Sequence, residues 1–184
     1  MLNPRRNSIC STLLAGFCFL FPLAAAERSP VPFQTVAKVP TGSEVLGWPA
    51  PEFELQQISG NSVKSDDLKG KVVVLDLWPT WCAPCVDEIP KLEALADKYK
   101  GKNVQVVGIA VESGPIENVK AKVTELKIRY PVLYGTQQTL SDFSTVGYPT
   151  TFVLTRNWTF HQKYLGKLPN KAALIDKEIE SLLQ

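Results

Sequence analysis

The run Val72-Val73-Val74-Leu75-Asp76-Leu77-Trp78 is apolar throughout apart from Asp76. A half-exposed strand alternates apolar with polar residues, so this one must be covered on both faces, which places it in the middle of a sheet lying between two layers. Immediately after it come Pro79-Thr80-Trp81-Cys82-Ala83-Pro84-Cys85, then Ile89, Leu92, Leu95/Ala96 and Tyr99 at helical spacing with Gly101 as a stop. Pro90 lies inside that helix and is expected to kink it. Residues 104–111 give a second buried strand. Ser113-Gly114-Pro115 then opens a helix whose apolar residues are Ile116, Val119, Val123 and Leu126. Residues 151–155 and 159–165, on either side of Arg156-Asn157, have the pattern of an antiparallel pair, and Lys171–Leu183 that of a terminal helix. The order predicts an α/β sandwich whose first two strands run parallel through a right-handed crossover.

Ahead of this core, Glu52-Phe53-Glu54-Leu55, the Ser59-Gly60-Asn61 turn and Ser62-Val63-Lys64 predict a small hairpin. Residues 29–51 carry Pro30, Pro32, Pro40, Pro49 and Pro51 with Gly42 and Gly47, show neither helical nor strand period, and are expected to form a tether or irregular lead-in. At the start, Arg5 and Arg6 precede an apolar stretch over 9–23 and then Ala24-Ala25-Ala26, the order of a secretory signal peptide. Residues 9–26 also sit at the lower length limit for an uncleaved membrane anchor. Three parts are therefore expected: residues 1–26 as signal peptide or anchor, 27–48 as lead-in and 49–184 as the folded domain. Either fate of the first part places that domain outside the cytoplasm, in a periplasmic or similar compartment, where thiols are readily oxidised.

The whole chain of 184 residues has 20 Lys and Arg against 18 Asp and Glu, with four Cys and one His. Arg5 and Arg6 are the only charges in the first 26 residues, so the remainder is neutral and carries no basic block. That argues against nucleic acid or an anionic membrane surface as the main partner. Two of the cysteines, Cys10 and Cys18, fall in the targeting segment. The other two and the single His161 are too few for a four-ligand zinc site of Cys and His alone, so no metal or cofactor is expected.

Cys82 and Cys85 stand where the central strand ends and the helix begins, with Cys82 at the helix N-terminus and Cys85 one turn inside. The spacing lets the two sulfurs meet, and the helix amides and dipole favour a thiolate on the first. Lowering a thiol pKa from about 8.5 to about 7 takes about 2 kcal/mol, and a helix terminus can supply much of that. Cys82 is thus the expected attacking thiol. A c-type haem attachment would need His after Cys85, where this chain has Val86. A purely structural disulfide closing so short a loop would contribute little chain-entropy stabilisation. Redox chemistry remains.

With these motifs in order, the chain resembles the TlpA/ResA-like extracytoplasmic thiol-disulfide oxidoreductases of the thioredoxin superfamily. The likeness runs from about Pro49 to the C-terminus and rests on Ala50-Pro51-Glu52-Phe53-Glu54-Leu55, Leu68-Lys69-Gly70-Lys71-Val72-Val73, Trp78 with Trp81-Cys82-Ala83-Pro84-Cys85, Glu88-Ile89-Pro90, and Gly147-Tyr148-Pro149-Thr150-Thr151-Phe152. The resemblance implies a thioredoxin fold: a central mixed sheet flanked by helices, with an N-terminal β-hairpin extension. It implies that Pro149 is cis beside the disulfide, that the backbone of Tyr148 pairs with a substrate strand, and that Trp81, Ala83 and Pro84 complete the substrate surface. Asp76 matches the buried acid of thioredoxin that moves a proton to or from the second cysteine; relatives of the TlpA/ResA type often carry Asn there. Glu88 matches a glutamate that tunes thiol pKa, the alternative being a solvated acid at a helix start. Pro79 stands where relatives carry a small residue such as Ala. Trp78 is expected in the core, and His161 to be incidental.

The expected activity is reduction of disulfides in extracytoplasmic proteins, because Ala83-Pro84 offers no side-chain donor to stabilise a thiolate strongly. Apocytochrome c or copper-site cysteines are the substrates the resemblance suggests, with electrons from a membrane-embedded thiol donor. Two alternatives share the fold. A peroxiredoxin-like peroxide reductase would need Pro-x-x-x-Thr/Ser-x-x-Cys, a spacing that Pro79-Thr80-Trp81-Cys82 lacks, and copper chaperones of this fold use Cys-x-x-x-Cys.

Overall fold

The structure, a computed structural model, describes residues 46–184. The segment 1–26 and nearly all of the lead-in lie outside the described residues. Among the described residues the elements are β1 (Glu54–Gln56), β2 (Ser62–Lys64), β3 (Val72–Trp78), α1 (Ala83–Val86), α2 (Ile89–Lys98), β4 (Val104–Ala110), α3 (Ile116–Glu125), β5 (Val132–Tyr134), α4 (Gln137–Asp142), β6 (Thr150–Leu154), β7 (Phe160–Leu165) and α5 (Lys171–Leu183). One sheet has the order β5-β4-β3-β6-β7, in which β3, β4 and β5 run parallel, β6 runs antiparallel to β3, and β7 runs antiparallel to β6. This is the thioredoxin fold with the expected hairpin, in which Leu55 faces Val63 across β1 and β2.

Every residue of β3 is buried, as its composition requires. Val72, Val74 and Trp78 join Leu92, Leu95, Ile175 and Ile179 in one core beneath α2 and α5, while Val73, Leu75 and Leu77 join Leu133, Phe143, Phe152 and Phe160 in the core on the opposite face. Asp76 follows the alternation of Val74 and Trp78, so its carboxylate is directed into the α2/α5 layer. That one positional fact sets the polar chemistry of the site.

Pro90 does more than kink the first helix. Lacking an N–H, it cannot continue the ladder of α1, and it sits instead in the first turn of a new helix, α2, where that N–H would be unpaired anyway. Glu88 bridges the break: its N–H donates to Cys85 O at 3.0 Å, and its own carbonyl accepts from Leu92 at 3.1 Å. The lead-in also ends earlier than its composition suggests. Gly47 N–H donates to Phe160 O at 2.7 Å and Phe160 N–H to Trp48 O at 2.9 Å, so the last residues before the domain pair with the start of β7. Neither β5 nor α4 was anticipated from the pattern. At the other edge, Ile58 N–H donates to Val132 O at 2.9 Å, so the hairpin covers part of β5.

Candidate active site

Cys82 is the N-cap of α1, extended at φ −82°, and its Sγ accepts the N–H of Cys85 at 3.2 Å. Pro84 fits the first turn because that turn has no use for its missing donor. The two cysteines form a disulfide with Cα atoms 5.3 Å apart. Cys82 retains 6% exposure whereas Cys85 has none. Ala83 and Pro84 are exposed beside them.

The loops after β3 and β4 are stitched together around this pair. Thr80 N–H donates to Ser113 Oγ at 2.9 Å, and Trp81 Nε1–H donates to the carbonyl of Glu112 at 2.9 Å. Trp81 is 65% exposed, and its ring meets that of Tyr148 edge-on at 6.0 Å. Tyr148 O–H in turn donates to Glu112 Oε2 at 3.1 Å; partial burial and this acidic neighbour push its pKa up to about 12. Glu112 therefore holds both aromatic walls, one through its backbone and one through its side chain, from a left-handed conformation with φ +47°. Sequence reasoning missed it, since nothing in Val111-Glu112-Ser113 announces such a turn. The Tyr148–Pro149 bond is cis, and Pro149 O accepts from Gly166 N–H at 2.7 Å. Trp78 lies fully in the core, as expected.

A group of buried charged residues lies on the α2/α5 side of the sheet. Asp76 is fully buried; Thr151 Oγ1–H donates to its Oδ1 at 2.7 Å, and Oδ2 has no partner among the described residues. Burial disfavours its anion and lifts its pKa to about 6, against the hydrogen bond from Thr151 and the charge of Lys171, with Glu88 adding to the rise. Glu88 is not a solvated acid. Only 4% exposed, it takes an ion pair from Lys171 Nζ at 2.7 Å, and Lys171 is equally buried. Lys171 was legible only as the first residue of a terminal helix. His161 pairs with Glu178 at 2.7 Å and ties β7 to α5. Among the described residues no cluster of His, Cys, Asp and Glu is arranged to hold a metal ion.

A cysteine pair closing the first turn after the central strand of a thioredoxin-type sheet, the first residue slightly exposed and the second fully buried, defines a thiol-disulfide oxidoreductase. The AhpC/TSA family profile matches residues 46–161, and the chain belongs to this family, in its TlpA/ResA-like thioredoxin branch. It is 31% identical over 140 residues to the thioredoxin-like protein YneN of Bacillus subtilis, covering 76% of this chain and 82% of that one. It is 32% identical over 124 residues to the thiol-disulfide oxidoreductase ResA of Bacillus cereus, covering 66% and 70%. Among solved structures it is similar to a thiol:disulfide interchange protein of the thioredoxin family from Chlorobium tepidum, with TM-score 0.66, 30% identity and coverage of 74% and 96%.

Proposed function

We propose that the domain over 49–184, exported by the segment 1–26 and joined to it by the lead-in 27–48, works outside the cytoplasm as a reductant of disulfides in partner proteins. The observation that carries this reading is the asymmetry of the pair: Cys82 keeps a slight exposure and Cys85 has none. In the reduced protein the Cys82 thiolate attacks a substrate disulfide, forming a mixed disulfide and releasing one substrate thiolate. Cys85 then gives up its proton to Asp76 and attacks Cys82 Sγ; the Cys82–Cys85 bond forms and the second substrate thiolate leaves. Two electrons have moved from protein to substrate, and a membrane-embedded thiol donor returns them. Glu88 tunes the thiols from below.

Trp81, Ala83, Pro84, Tyr148 and Pro149 form the surface on which substrate lies. Among the described residues neither the N–H nor the C=O of Tyr148 has a backbone partner, which leaves both for an added substrate strand. The substrate classes that fit are extended, cysteine-bearing segments such as apocytochrome c or the cysteines of copper sites. Replacing Cys85 by Ser removes the resolving thiol, so the variant should retain its substrate as a mixed disulfide on Cys82 when incubated with an extracytoplasmic protein extract. Recovery of no cysteine-linked partner, or linkage through another residue, would sink the reading. Rapid peroxide consumption by the reduced protein would assign it to peroxide reduction instead.

A further inference from the structure

We infer that Lys171 is a positioning residue of the redox site: its ammonium, paired with the Glu88 carboxylate, offsets that charge at Asp76, the acid that takes and returns the Cys85 proton. This deepens the reading above and rests on its assignment of that proton to Asp76.

The location of Lys171 makes sense on no simpler ground. It is the first residue of α5, where the positive end of the helix dipole disfavours a cation, and it is buried, which disfavours a cation again. Among the described residues its Nζ meets Glu88 Oε2 at 2.7 Å and Gly166 O at 3.3 Å. A buried ion pair of this kind is weak support for stability, and an apolar pair of the same volume commonly serves as well or better. What the ammonium does supply is a positive charge that offsets Glu88 at Asp76. Glu88 Oε1 and Asp76 Oδ2 are both buried without partners among the described residues, so without Lys171 two desolvated acids would share the layer with no cation to offset them.

The groups acting on Asp76 come from every element packed around it. Thr151 on β6 donates to it, Glu88 at the α1–α2 junction and Lys171 on α5 bring opposite charges, Tyr130 ahead of β5 lies within its field, and Cys85 on α1 is the proposed proton partner. Because Lys171 and Glu88 act on Asp76 with opposite sign, removing either alone must move its titration in opposite directions, and removing both must largely restore it. A role confined to packing cannot reverse sign.

The test uses the full chain in four versions beside the wild type: Lys171→Met, Glu88→Gln, the double Lys171→Met/Glu88→Gln, and Lys171→Arg. Two readouts are taken from pH 4 to 9: the rate of reduction of a synthetic Cys-x-x-Cys peptide disulfide, and the Asp76 carboxyl infrared band, identified by its loss in Asp76→Asn. The acidic limb should rise by about one pH unit in Lys171→Met and fall by about one in Glu88→Gln. It should return near the wild-type position in the double variant and stay there in Lys171→Arg. Single variants that shift the same way, or that lower thermal stability without moving either readout, would overturn the inference. If the infrared band moves as expected but the rate does not follow it, Asp76 is not the proton partner and the underlying reading fails as well.

Discussion

At the scale of a single residue, Asp76 carries a cost that burial imposes on its anion. Its pKa is near 4 in the unfolded chain and about 6 in the fold, so between these values the native state binds more protons than the unfolded state. Stability from this group is therefore full below about pH 4, falls as the pH rises through 6, and is lower by about 3 kcal/mol above that. Asn fits the same space and can still accept from Thr151. Asp76→Asn should thus be more stable than wild type above pH 7, by up to about 3 kcal/mol, and equal to it near pH 4, as urea melts at the two values will measure. The same substitution should slow turnover at neutral pH. A variant that loses stability at pH 8 would show that Thr151 and Lys171 together favour the anion more than burial opposes it.

Among the elements, the long and doubly covered ones were legible and the short ones were not. β3 and α2 announce themselves through uninterrupted apolar content and helical spacing. β5 has three residues between Pro131 and Gly135, too few for any period, and α4 has six. A signal for α4 did exist: Thr136 caps it by accepting the N–H of Thr139, while Thr139 Oγ1 accepts that of Thr136. Cys82, Cys85 and Pro149 could be placed because they sit at the ends of strong elements. The ion pair of Glu88 with Lys171 could not, since it joins residues 83 apart whose meeting depends on how α5 crosses the sheet. Gly135 carries the element-scale prediction. A Cβ there would stand 2.6 Å from Ile109 Cγ2 and 2.7 Å from Val111 Cγ1, both in the buried core, and its N–H already ties it to Ala110 O at 2.8 Å. Gly135→Ala should cost about 1–3 kcal/mol, seen as a lower denaturation midpoint with unchanged slope. No loss would mean that β5 can move away from β4.

For the whole molecule, the redox poise follows from how the fold treats the two oxidation states. Whatever stabilises the reduced pair makes its disulfide a stronger oxidant, and a thermodynamic cycle requires the same preference to appear in folding stability. The reduced pair gains little here. Cys82 Sγ receives the N–H of Cys85, Ala83 and Pro84 bring no side-chain donor, and Cys85 is fully buried in the α2/α5 layer, where desolvation opposes a charge. The oxidised protein should accordingly melt at a higher temperature than the reduced one. Its potential should lie closer to about −270 mV, the thioredoxin end, than to about −120 mV, where strong disulfide donors lie. Equilibration with glutathione buffers, followed by quantifying free thiols, measures the potential directly, and melting both forms checks it independently. A pair left reduced in mildly oxidising glutathione, together with a reduced form that melts higher, would reverse the direction of electron flow and make the protein a donor of disulfides.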